Sequence, residues 1–443
     1  MRSLPSSISS FNRLKNFNFL LGILCFMSFS VQLHAQENID SAKQNTSSEN
    51  VVFNAGVMNP FFTKLHALKS KPGKISILQL GDSHMQMGYF VGEMRRNFGN
   101  EFGFSSLGLI FPHPIAGYRP FYVKAEVTNG QWTGGNNLRP EIAMKYGVSG
   151  FTIRTKYKHA QFNIRPNKLE SEIMTGKEVV IYFQANDSSK LSLQGVQWSS
   201  DSAQPSTYID PVSVSDVTVF SGWKKQIFVF AHPVSSLTIS VDQNRDSLPF
   251  DIYGIQFLNP DQQGIIYHNA GVGGSTFMSL CKNSSLAAAQ IQDLNPDLII
   301  YAYGSNEAYT PTFNTVDYKQ NISNHLDQIK KLLPETVILL TTPPDTRSKD
   351  RYPRNIDTIR SVYLQLATEK NLSYWDLRDQ MGGNGSLHKW FKLGLASKDK
   401  LHFTKPGYEL QAKLLTEAIF KAYNEIYPND QSLRLPVYQT DFK

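Results

Sequence analysis

The chain has 443 residues, of which 41% are hydrophobic and 18% charged, with a formal net charge of +7. That length allows two or three domains with well-filled cores, and the composition excludes both a disordered chain and one embedded in a membrane. Lys and Arg form no dense run, so the positive excess does not point to a nucleic-acid partner.

In chain order, the first unit is residues 1–35. Arg2, Arg13 and Lys15 precede an apolar run over 19–29, and Leu33-His34-Ala35 offers a small-residue cleavage point before Gln36. This is the layout of a secretory signal peptide, with an apolar run too short to span a bilayer comfortably. An uncleaved membrane anchor is the alternative. Cleavage would leave no stable membrane insertion, and a periplasmic or secreted bacterial protein is expected. Leu24 before Cys25 is bulky and followed by further apolar residues, which argues against a lipoprotein site. Cys281 would then be the only thiol of the mature chain, so no internal disulfide is expected even though export would permit one.

Residues 36–50 are polar and read as a flexible leader. Short apolar runs follow at 75–80, 265–269, 298–303, 337–341 and 372–375, and helix-like segments at 284–294 and 318–333 lie between the later ones. Alternating strands and helices predict a mostly parallel sheet covered on both faces. Thr404 as cap and Pro406 near the first turn open a closing helix over 405–426, with Leu410, Leu414 and Ala418 on one face. From about 118 to 259 the rhythm changes. The stretches 151–155, 179–184, 191–196, 212–220, 226–230 and 237–241 read as short strands separated by Ser, Asn, Asp and Gly, with no helix between them. They predict an antiparallel β-sandwich of jelly-roll type inserted into the α/β domain. The α/β domain then comprises 51–117 and 260–427, with the insert at 118–259 and a tail at 428–443.

Four segments of the α/β part have the composition that acyl transfer demands, and three of them directly follow a predicted strand. Loops at the carboxyl ends of parallel strands converge on one crevice. Gly81-Asp82-Ser83 is the first, and taken alone it is an ordinary turn sequence. Asn269-Ala270-Gly271-Val272-Gly273-Gly274-Ser275-Thr276 is the second, where glycines let backbone N–H groups approach a ligand. The third is Gly304-Ser305-Asn306-Glu307, and the fourth holds Asp399 and His402 just before the last helix. A serine that cleaves esters needs a base, a group to orient the base, and donors for the tetrahedral oxyanion. The four segments supply a candidate for each.

These blocks resemble those of the SGNH (GDSL-like) hydrolases, through Gly81-Asp82-Ser83, Gly274, Gly304-x-Asn306 and Asp399-x-x-His402 in the family's order. The resemblance implies a flavodoxin-like three-layer α/β/α domain interrupted here by the all-β jelly-roll sandwich. It implies Ser83 as nucleophile, His402 as base and Asp399 as its orienting partner. It also implies an oxyanion hole formed by the backbone N–H groups of Ser83 and Gly274 and the Asn306 side chain. Glu307 departs from the Asp common in the family, and the Asn306 donor should survive the change. Ser83 followed by His84, the stretch 102–112 with its Gly-Phe and Gly-x-Ile-Phe-Pro elements, and the insert after the first block together look like bacterial peptidoglycan O-acetylesterases. That likeness implies that the insert at 118–259 is carbohydrate-binding-module-like, with an acetylated polysaccharide as partner and removal of acetyl groups from N-acetylmuramic acid. Two alternatives stay open: an O-acetyltransferase using the same triad, and a non-catalytic glycan-binding protein.

The choice of Gly274 over Gly271 or Gly273 rests on its spacing from Asn269. His84 reads as a packing or supporting residue. His113, His268 and His325 have no metal-ligand spacing, and the glycine cluster lacks the Lys of a phosphate loop, so neither a metal nor a cofactor is expected. Trp132, Trp198 and Trp223 read as sandwich core rather than sugar platforms.

Overall fold

The computed structural model describes residues 48–138, 144–167, 175–186, 188–197, 207–220, 223–281, 285–349, 351–428 and 433–434. The signal-peptide reading of 1–35, nearly all of the leader, most of the tail and Trp198 lie outside the described residues.

The strands in chain order are β1 (Lys74–Gly81), β2 (Phe104–Ser106), β3 (Gly108–Ile110), β4 (Val123–Asn129), β5 (Thr133–Asn136), β6 (Phe151–Thr155), β7 (His159–Pro166), β8 (Gly176–Gln184), β9 (Lys190–Gln197), β10 (Thr207–Ile209), β11 (Ser213–Phe220), β12 (Trp223–Val234), β13 (Ser236–Asp242), β14 (Phe250–Leu258), β15 (Gly264–Gly271), β16 (Leu298–Ala302), β17 (Val337–Thr341) and β18 (Ser373–Trp375). Six of them form a wholly parallel sheet in the order β18-β17-β16-β1-β15-β2. β1 occupies the middle, with β15 on one side and β16 on the other. The chain leaves β1 in one direction and later crosses back over it between β15 and β16, so β1 marks the topological switch where open α/β sheets form a crevice. Apolar clusters cover both faces, one closed by the Lys405–Ile426 helix and the other by helices Ser285–Leu294, Thr315–Leu332 and Ile356–Glu369. The closing helix is capped by Thr404, whose hydroxyl accepts the Gly407 N–H at 3.4 Å.

The remaining strands form a sandwich of a five-stranded sheet, β10-β9-β13-β7-β4, and a second sheet, β11-β12-β8-β14-β6-β5, to which β3 adds by pairing with β14. The antiparallel pairing therefore starts at Gly108, ahead of the change in sequence style near residue 118. Strands β4, β5, β7, β10 and β14 were not legible as separate runs. β14 shows why. It is buried almost throughout, so it has no polar alternation to read.

At β8 and β14 this second sheet is buried on both faces. In β8, Val179, Ile181 and Phe183 point into the sandwich core, whereas Val180 and Tyr182 join the core of the α/β layer with Leu78, Leu80 and Ala270. Polar ties reinforce the seam. The Tyr182 hydroxyl donates to Asp293 at 2.6 Å, Lys225 pairs with the same carboxylate, and Gln290 accepts the Val148 N–H at 2.8 Å. Buried Arg95 donates to the carbonyls of Tyr267 and Leu107, joining β15 to the segment that enters the insert. Trp132 packs edge-on against Phe162 of the sandwich core, and Trp223 is buried beside Tyr182 at the seam.

Candidate active site

At the end of β1 the chain turns straight into a short helix, Ser83–Gln86. Gly81 is required there by close approach, since a Cβ would sit 2.8 Å from the Ala302 carbonyl oxygen and against Met85. Asp82 caps the helix, its Oδ1 accepting the His84 N–H at 2.9 Å. This directs Ser83 out over the carboxyl edge of the sheet, half-buried, with its Oγ 2.9 Å from His402 Nε2. The other ring nitrogen of His402 lies 2.7 Å from Asp399 Oδ2. Asp399 Oδ1 accepts the backbone N–H groups of Leu401 and His402 at 3.0 and 2.9 Å, a turn made possible by Lys400 at φ +56°. Burial works to raise the Asp399 carboxyl. The hydrogen bonds from the His402 ring and from the two backbone N–H groups outweigh it and hold the group below the usual carboxylate range.

The second and third loops stand on either side of Ser83. Gly271 N–H donates to Asn269 Oδ1 at 3.1 Å and Gly273 N–H to Gln86 Oε1 at 2.8 Å. Gly274, at φ +82°, is the residue whose N–H has no hydrogen bond among the described residues. Asn306 follows Gly304, whose φ of +115° favours glycine, and its Nδ2 donates to the Ser275 carbonyl at 2.8 Å. That bond uses one of two amide hydrogens and leaves the other for an incoming oxygen. Ser83, Gly274 and Asn306 thus lie on the loops that follow the neighbouring strands β1, β15 and β16, and His402 and Asp399 join them through the bond to Ser83.

Several supporting residues were not found from the sequence. Gln86 and Asn269 tie the glycine loop to the Ser83 helix, Asn269 through a bond to the Met85 carbonyl at 3.2 Å. Buried Glu307 accepts the Phe277 N–H at 2.6 Å and the Tyr318 hydroxyl at 3.2 Å, which anchors the helix that follows the glycine loop. His84 is buried against the His402 ring, 5.6 Å between centroids, and its Nδ1 is 3.0 Å from the Tyr408 hydroxyl. Burial and then the neighbouring His402 push His84 down to about 3, so it stays neutral and supports the His402 imidazole by packing. The Glu307 departure from Asp was visible in the sequence, but its long-range bonds were not. His113 and His268 are buried structural residues, and His325 meets the Tyr301 hydroxyl. Among the described residues no three His, Cys, Asp or Glu side chains are grouped to hold a metal.

Burial pushes both Asp82 and Glu307 up to about 7. A carboxyl raised in the folded state contributes stability that is full below its ordinary value and lost as pH rises through the folded one. Stability should therefore fall between about pH 4 and about pH 7, by about 3–4 kcal/mol for each group, each pKa unit being worth about 1.4 kcal/mol. Glu307→Gln keeps an acceptor for Phe277 and removes one titration. Denaturant unfolding across this range should show a shallower fall in the variant, and an identical pH profile would refute the assignment.

Residues 256–410 match the GDSL-like lipase/acylhydrolase family. The matched residues run from β14 into the closing helix, and with the parallel sheet and the Ser83–His402–Asp399 geometry they support a carboxylic ester hydrolase that is similar to this family. The fold is similar to that of a solved peptidoglycan O-acetylesterase, at TM-score 0.66 and 21% identity, covering 83% of this chain and 96% of that one. An acetylxylan esterase from Geobacillus stearothermophilus matches at TM-score 0.30 and 22% identity, over 35% of this chain and 73% of its own. A family two carbohydrate esterase from Cellvibrio japonicus matches at TM-score 0.28 and 10% identity, over 69% and 99%. No curated protein matches the chain significantly.

Proposed function

We propose that the chain is a serine esterase that removes O-acetyl groups from a glycan, with the N-acetylmuramic acid of peptidoglycan as the favoured substrate. The observation that carries this reading is the hydrogen-bonded relay from Ser83 through His402 to Asp399, with Gly274 and Asn306 on the loops after the strands that flank β1. Ser83 Oγ attacks the acetyl carbonyl while His402 Nε2 takes its proton. The Ser83 and Gly274 N–H groups and Asn306 Nδ2 hold the oxyanion. The tetrahedral intermediate collapses, the C–O bond to the sugar breaks, and His402 returns the proton to the departing sugar hydroxyl. Water then gives its proton to the same imidazole and attacks the acetyl-enzyme, and acetate leaves with Ser83 restored.

Hydrolysis rather than transfer to a second sugar is supported by solvent access, the Asp399 side chain being half exposed and that of His402 one-third exposed. The glycan reading is supported by the two-part architecture, which the chain has in common with the peptidoglycan O-acetylesterase structure over most of both lengths. The test is acetate release from a panel of native acetylated polysaccharides. Release from O-acetylated peptidoglycan well above that from acetylated xylan is expected, and no release from any glycan would overturn the proposal. The same reading has residues 1–35 direct the protein to the periplasm or medium. Among the described residues no helix is long and apolar enough to cross a membrane. Recovery of the intact chain from the cytosolic fraction would refute export.

A further inference from the structure

Residues 36–443 carry a net charge of +4, the first 35 holding three cations and no acid. Two short stretches account for all of that excess. Residues 345–354 hold four cations and two acids, and residues 398–405 hold three cations and one acid, so everything else in 36–443 sums to zero.

Both stretches belong to the rim of the site. The second is the loop of Asp399 and His402 itself, with Lys398 and Lys400 on either side of Asp399. The first follows β17 and is pinned along its length. Asp345 Oδ2 accepts the Leu387 N–H at 3.0 Å, and Thr346 Oγ1 lies 3.1 Å from the Tyr309 hydroxyl. Arg347 N–H donates to the Lys400 carbonyl at 2.7 Å, and Asn355 N–H donates to the Ala308 carbonyl at 3.2 Å. The segment therefore bridges the loop that carries His402 and the loop that carries Asn306.

The acids are turned to other uses. Asp345 is buried, with Arg347 3.6 Å away, and Asp399 is bonded to His402. Lys349, Arg351, Arg354 and Lys398 are exposed and have no carboxylate partner among the described residues. Unpaired cations held close together repel one another and add nothing to the fold, so stability gives no reason for the cluster. Lys349 and Lys400 also stand at φ +50° and +56°, where a side chain other than that of glycine costs backbone energy. A rim of one sign has a clear use at an entrance, where it raises the local concentration of oppositely charged substrate.

We propose that this cationic rim makes the site selective for acetyl esters whose alcohol part carries an anionic group, with Lys349, Arg351, Arg354 and Lys398 as the selecting residues. The inference rests on the esterase reading and names the charge of its substrate. The test compares two acetyl esters with the full chain, 4-acetoxyphenylacetate and its methyl ester, which differ by one negative charge remote from the acetyl group. At low salt kcat/KM for the anion should exceed that for the methyl ester by about tenfold. The two should converge as salt shortens the screening length from about 10 Å at 0.1 M to about 3 Å at 1 M. K349N/R351Q/R354Q/K398Q should bring the anion to within about twofold of the methyl ester at low salt, through KM rather than kcat, with turnover of the methyl ester unchanged. Asn suits the left-handed backbone at 349 better than Lys does, and the other three side chains are exposed, so the variant should melt no lower than the parent. If the variant does not fold, the salt response of the parent decides. Equal kcat/KM at low salt, a preference that salt does not reduce, or an undiminished preference in the folded variant overturns the proposal. Failure of the esterase reading looks different: neither ester is hydrolysed, and the charge assignment falls with it.

Discussion

Ser83→Ala is expected to lower kcat for 4-nitrophenyl acetate by roughly 10⁴-fold or more, the scale on which removing a serine nucleophile disables a triad enzyme. The structure assigns the whole effect to one atom. Ser83 Oγ bonds His402 Nε2, and without it the imidazole has no proton to take and the acetyl group no oxygen to occupy. The fold should be indifferent, because the side chain is half-buried and the substitution removes one hydrogen bond worth about 1 kcal/mol. Circular dichroism and thermal melting provide that control. Rapid quenching of the parent enzyme should yield an acetylated peptide containing Ser83, absent from the variant. A variant that retains more than about a tenth of parental turnover would remove Ser83 from the mechanism.

Asn306→Ala should cost about 10²- to 10³-fold in kcat, or about 3–4 kcal/mol of transition-state stabilisation, with little change in KM. The reason lies in how the amide is held. Its bond to the Ser275 carbonyl orients Nδ2 before substrate arrives, so the remaining hydrogen meets the oxyanion without reorganisation. A role confined to supporting the loop would move KM and thermal stability along with kcat. Asn306→Asp is informative beside it, since a carboxylate puts negative charge where negative charge develops, and its loss should be at least as large. A loss below about fivefold for Asn306→Ala would exclude Asn306 as an oxyanion donor.

The candidate site was legible because its chemistry is carried by residues on short loops that follow hydrophobic strands. Those strands, buried on both faces, read as continuous apolar runs. The supporting contacts were not legible, because each joins residues far apart in the chain. Gln86 to Gly273, Asn269 to Met85, and Glu307 to Phe277 are bonds between a side chain and a backbone group, and local sequence carries no pattern for them. The sandwich was readable as a class and less so strand by strand. β7 alternates Ala160, Phe162 and Ile164 inward with polar residues outward, whereas β14, wedged between two cores, has no alternation to detect. Strand register is equally hidden, as where β4 and β7 set Lys124 opposite Arg165 across about forty residues of chain.

The sequence by itself determined which residue types were available for acyl transfer, their order, and the division into an α/β layer and an antiparallel insert. These follow from local patterning and from the short range over which a turn or a strand declares itself. Only the tertiary structure decided that Ser83 and His402, 319 residues apart, meet at 2.9 Å, because the closing helix packs in one core with β1 and the loop before it reaches the residue that follows this strand. It also decided among the glycines. Gln86 takes the N–H of Gly273 and Asn269 that of Gly271, and the N–H of Gly274 has no partner among the described residues, a distinction that exists only once the chain has folded back on itself.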